Sequence, residues 1–150
     1  LELIWAFDQF TVRGLFGRLH ENSTTTAAGT TQDQAGSQTR PVYSGVVTGN
    51  YTIGNWGLML QADYYHQVMN NITWVEGRDV DDNWVASQTT ANFAASYRGE
   101  TSGFNWRAAF NITNLFDRAP SIVANATGQS MVLGHDTLGR RYQVSVNLDF

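Results

Sequence analysis

The C-terminal stretch constrains the fold more than any other part of the chain. Arg141, Gln143, Ser145, Asn147 and Asp149 alternate without a miss with Tyr142, Val144, Val146, Leu148 and Phe150. Successive side chains of a strand point to opposite faces, so this segment carries one wholly apolar face and one wholly polar face. A soluble sheet with one wet face alternates in the same way. The segment is long, however. Strands of soluble domains usually run about 5–6 residues, whereas about 9–11 residues are needed for a tilted strand to cross a bilayer core.

The pattern recurs upstream. Residues 1–7, 10–20, 41–53, 57–69, 84–98 and 104–113 read as further strands, the first as the end of a strand that starts earlier. In residues 104–113, Phe104, Trp106, Ala108, Phe110 and Ile112 alternate with Asn105, Arg107, Ala109, Asn111 and Thr113. The phase breaks near Gly17-Arg18, where a bulge is expected. Residues 21–40, 70–83 and 114–139 are polar and lack apolar periodicity, so they read as long loops. Asp8-Gln9, Gly54-Asn55 and residues 99–103 read as short turns. Long and short connections therefore alternate strictly. In an up-and-down antiparallel sheet this collects every long loop at one end, as outer-membrane barrels do. The expected fold is all-β: an antiparallel, up-and-down transmembrane β-barrel segment of six full strands plus the end of a seventh. Trp56, Tyr97, Phe104, Trp106 and Phe150 fall near the short turns, where an aromatic girdle would meet the headgroups.

Composition narrows the function classes. All nine basic residues are Arg, the net charge is −4, and no basic cluster exceeds Arg140-Arg141, which argues against a nucleic-acid partner. The absence of cysteine leaves no disulfide framework and no thiolate metal site. His20, His66 and His135 have no metalloenzyme spacing, and residues 128–132 lack the second glycine of a nucleophile elbow. No catalytic residue, metal or cofactor is expected. Asp79, Asp81 and Asp82 cluster hard oxygen ligands. An EF-hand starting at Asp79 would need Gly and Glu where Trp84 and Thr90 stand. Trp74, Glu76, Arg78 and Trp84 share one long loop and form the candidate ligand-binding set, combining aromatic and charged groups. Arg13, Asp63, Arg98, Arg107, Arg141 and Asp149 fall on the polar faces. Six or seven strands would leave two open edges, costly in lipid, so the segment is expected to belong to a larger barrel.

Two motifs carry a family resemblance. Residues 111–117, Asn-Ile-Thr-Asn-Leu-Phe-Asp, resemble the signature after the penultimate strand of TonB-dependent outer-membrane receptors, with Asn114, Leu115, Phe116 and Asp117 as its core. Residues 134–142 followed by the alternating strand to Phe150 resemble that family's last loop and last strand. Tyr142, Val144, Val146, Leu148 and Phe150 also resemble the terminal signal read by the barrel-assembly machinery, with Ser145 where glycine is common. The match covers residues 104–150; residues 1–103 agree in style only. The resemblance implies a barrel of about 22 strands around an N-terminal plug. It also implies uptake of a scarce small-molecule ligand such as a siderophore, a cobalamin or an oligosaccharide, powered through TonB. The implied partners are outer-membrane lipid, the plug and remaining strands, the TonB complex and the assembly machinery. The rival readings are a passive porin-type barrel and a soluble all-β binding module of the lectin or adhesin kind.

Overall fold

The computed structural model describes residues 1–38, 40–101, 103–124, 130–132 and 138–149. Phe150, His135 and the run 134–137 lie outside the described residues. The strands are β1 (Glu2–Phe7), β2 (Phe10–Arg18), β3 (Ser23–Thr25), β4 (Thr31–Asp33), β5 (Tyr43–Ile53), β6 (Trp56–Tyr65), β7 (Val68–Met69), β8 (Trp84–Val85), β9 (Gln88–Thr101), β10 (Phe104–Thr113), β11 (Ile122–Ala124), β12 (Ser130–Val132) and β13 (Arg141–Asp149). Seven of them form one antiparallel sheet in the order β1-β2-β5-β6-β9-β10-β13. Each main strand therefore pairs with its neighbour along the chain. The sheet is open, with β1 and β13 as its edges. Its turns follow β1, β5 and β9 at one end; the long connections follow β2, β6 and β10 at the other.

Register converts the sequence alternation into two faces. One row of register partners runs Trp5, Val12, Gly49, Leu60, Phe93, Ile112 and Tyr142. The next runs Phe7, Phe10, Tyr51, Leu58, Ala95, Phe110 and Val144. Directly paired residues share a face, so an apolar surface crosses all seven strands without interruption. The opposite face carries Thr11, Asn50, Asp63, Asn92, Arg107 and Asn147 in the same registers. No second layer covers the apolar face among the described residues, and its side chains stay open: Val144 is 73% and Leu60 51% exposed. Among the described residues the one buried apolar cluster is Val68 with Val85, in β7 and β8 of the long connection after β6.

Several sequence expectations change. Residues 21–40 are not a featureless loop; β3 and β4 pair as a hairpin there, turning at Gly29 with φ +82. The strand expected over 57–69 ends at Tyr65, and the one expected over 84–98 joins the sheet only at Gln88. Between them Val68-Met69 and Trp84-Val85 turn aside and pair with each other, because Val68 and Val85 find burial there that the open sheet does not offer. No bulge occurs at Gly17-Arg18. Pairing runs one-to-one to Arg18 opposite Tyr43, and Arg18 stays in phase, its guanidinium 5.7 Å from the Tyr43 ring centroid. The strand expected over residues 1–7 is present as β1, paired over Glu2–Phe7 with β2.

Aromatic rings fill places that glycine leaves empty. Trp56, Tyr97 and Trp106 form a track across β6, β9 and β10, with centroids 4.9 and 5.5 Å apart. The Trp106 indole occupies the space over Gly99, where an added Cβ would sit 2.3 Å from the ring. Gly99→Ala is therefore expected to displace Trp106 and break its contact with Tyr97, costing about 1–3 kcal/mol as an overpacked site does. Thermal unfolding and Trp fluorescence measure this. Gly49→Ala, whose Cβ would meet only ordinary contacts from 3.8 Å, is the control; equal effects of the two would refute the assignment.

Candidate functional site

The long connections, residues 19–42, 66–87 and 114–140, gather at one end of the sheet, and the first two are joined. Met69 N–H donates to the Gly36 carbonyl at 2.7 Å, Ser37 bridges Met69, and Gln38 Nε2 donates to Asn70 Oδ1. The β3–β4 hairpin is held at its base by Asp33, whose Oδ1 accepts the N–H groups of Asn22 and Ala35, each at 2.9 Å. Those two donors, Asn22 first, hold the Asp33 carboxyl below the usual carboxylate range.

The middle loop contains all four residues of the candidate ligand set, organised around an asparagine. Asn83 is 3% exposed. Its Nδ2 donates to the carbonyls of Asn71 at 2.8 Å and Trp74 at 3.3 Å, and its Oδ1 accepts the Asn71 N–H at 3.0 Å. Its own N–H goes to Glu76 Oε1 at 3.0 Å. Glu76 thus helps to hold the loop together. Arg78 pairs with the adjacent Asp79 at 2.8 Å, and Asp79 also accepts the Val75 N–H at 2.9 Å. The Arg78 hydrogen bond, then the Val75 N–H, lowers the Asp79 pKa, and the same pairing raises that of Arg78. Trp74 is half-buried, while Trp84, in β8, is exposed. The loop is therefore a folded unit that presents the Trp84 indole and the outer side of the Arg78–Asp79 pair. Asp82 Oδ1 accepts the Trp84 N–H at 2.8 Å, so the acidic run serves the loop's own backbone. No cluster of three or more metal-ligating side chains occurs among the described residues.

The motif Asn114, Leu115, Phe116 and Asp117 forms a latch at the top of β10. Asn114 is 2% exposed and has φ +55. Its side-chain amide closes a two-way pair with the Arg118 backbone: Nδ2 donates to the carbonyl at 2.9 Å, and Oδ1 accepts the N–H at 2.8 Å. Its own N–H goes to Asn92 Oδ1 at 3.0 Å, and the Leu115 N–H to the Ala91 carbonyl at 2.7 Å. These bonds root the third loop on β9. Asp117, with φ +53, accepts the Arg140 N–H at 2.9 Å and so ties the far end of the loop to its start. Phe116 points outward and is exposed.

Tyr142, Val144, Val146 and Leu148 line the apolar face of edge strand β13, paired with Ile112, Phe110, Ala108 and Trp106. On the polar face, Arg13 pairs with Glu2 at 2.8 Å, and Asp63 accepts from Gln61 at 3.0 Å and Asn92 at 3.4 Å. His66 lies at the loop end of the apolar face, its Nδ1 2.9 Å from the Tyr64 hydroxyl.

The sequence did not disclose the roles of Asn83 and Asn92: Asn83 reads only as the end of the acidic run from Asp79 to Trp84, and Asn92 only as a polar-face position in the alternation of its strand. No family model matches the chain, and neither does a curated protein or a solved structure.

Proposed function

We propose that the seven-stranded sheet is a stretch of the wall of a transmembrane β-barrel in the bacterial outer membrane, and that the chain is the C-terminal part of a TonB-dependent transporter taking up a scarce ligand. The carrying observation is the uninterrupted apolar face. Seven strands about 4.8 Å apart, with about ten residues each at 3.3 Å, give a surface of roughly 1,000 Å². Soluble monomers rarely expose contiguous apolar patches beyond a few hundred Å². A soluble sandwich would cover such a face with a second sheet about 10 Å away; lipid acyl chains cover it on a barrel. Ten residues tilted by about 40° rise roughly 25 Å, the height of a barrel's apolar band. The long loops gathered at one end suit the extracellular side, and the Trp84-bearing loop is the candidate ligand contact.

The transporter reading, as opposed to a passive porin, draws on the resemblance at Asn114–Asp117 and in the final strand. The experiment is fractionation of the producing cell, followed by uptake with and without a protonophore. The protein is expected in the outer-membrane fraction as a heat-modifiable band, with uptake abolished by the protonophore. Recovery in the soluble fraction without detergent would overturn the barrel reading; protonophore-insensitive passage would leave the porin.

A further inference from the structure

The polar face holds a pair of cations that the sequence pattern conceals. Register places Arg98 of β9 directly opposite Arg107 of β10. Like charges in directly opposed cross-strand positions repel and destabilise a sheet. Among the described residues no carboxylate comes within 4.0 Å of either guanidinium. Glu100 and Asp149 share the face, each opposite Asn105, yet neither closes an ion pair. Among the described residues the one side-chain bond at the pair is from Arg107 Nη2 to Ser96 Oγ, at a long 3.4 Å. Arg13, on the same face, is held by Glu2 at 2.8 Å.

The two arginines line a cavity of about 330 Å³. Gly57, Ala94 and Ala109 are too small to fill it, and Asn50 and Asn111 stand at its side with amide donors. Guanidinium forks match the oxygens of carboxylate and phosphate, and charge-assisted bonds of this kind are the strong ones. We propose that this cavity is an oxyanion-binding site, taking one carboxylate or phosphate group between Arg98 and Arg107. The bound anion turns a repulsive pair into two attractive contacts. The site is defined by β5, β6, β9 and β10, so it stands independently of the membrane reading.

Two sources share this chemistry: a free anion, or an acidic side chain from a part of the protein outside residues 1–150. The protein as its host makes it, purified in non-ionic detergent, is titrated calorimetrically with inorganic phosphate and, separately, acetate. A free-anion site gives saturable binding that Arg98→Gln and Arg107→Gln each weaken about tenfold or more. Arg98→Lys, which keeps the charge but loses the fork, falls between, and Arg13→Gln leaves binding unchanged. An internal acidic group gives no anion binding, and both glutamine variants lower the unfolding temperature. Absence of anion binding together with glutamine variants that raise or preserve the unfolding temperature would overturn the proposal, because the pair would then be merely repulsive. Anion binding that survives both glutamine substitutions would overturn it equally.

Discussion

Leu60→Arg is expected to destabilise the protein by about 2–4 kcal/mol if its apolar face meets lipid as proposed, the cost of arginine on the lipid face of a barrel near the bilayer midplane. Leu60 is suited to the test. It lies midway along β6, between Trp56 near the turn and Tyr64 near the loops, with Gly49 and Phe93 as cross-strand neighbours. It is already half open to its surroundings. In water, an exchange at such an exposed position costs within about 0.5 kcal/mol. The magnitude therefore reports what the face touches. Gln61→Arg, one residue along and on the polar face, is the control and is expected to cost little. The measurement is equilibrium unfolding from lipid vesicles in guanidinium. Equal, small effects at positions 60 and 61 would mean that the apolar face does not meet lipid.

Asn114→Ala is expected to cost about 2–4 kcal/mol. Two hydrogen bonds to the backbone of the exposed Arg118 disappear, each worth about 0.5–1.5 kcal/mol because water can replace them there. Alanine at a positive φ adds about 1 kcal/mol. Asn114→Gly removes the amide but accepts the backbone, so about 1 kcal/mol should return. Asn114→Asp retains the acceptor for the Arg118 N–H and turns an oxygen towards the Arg118 carbonyl. Trypsin cleavage after Arg118, followed beside the unfolding midpoint, reads the latch itself and is expected to quicken in the order wild type, Gly, Ala. Indifference of both readouts to alanine would reduce the motif to an ordinary turn.

Legibility in the sequence followed the physics of each segment. Strand β10 was bounded correctly at Phe104 and Thr113 because both limits are backbone events, Gly103 with φ +102 and Asn114 with φ +55. The faces were legible because a period of two admits only one assignment once a strand exists. The departure of Val68-Met69 and Trp84-Val85 from the sheet was not legible, since alternation is the same whether a strand stays with its neighbour or folds aside. The β3–β4 hairpin was hidden for the opposite reason: its threonines suit a strand but bury nothing. At the candidate site, residue types pointed to Trp74, Glu76, Arg78 and Trp84. They did not show that Glu76 is engaged by Asn83, or that Arg98 faces Arg107, because both depend on register and loop closure.

That register also has a geometric consequence. The row through Trp5 meets the first hairpin two residues from Phe7, the second four from Ile53 and the third eight from Thr101. The turns thus drop by six residues over four strand steps, or about 20 Å along the strands for about 19 Å across them. If the turns are to lie at one level, the strands must lean about 45° from the perpendicular to that level. Barrel closure calls for a lean of about 35–45° together with a steady stagger. The stagger of the open sheet is thus of the size that closure into the proposed barrel would require.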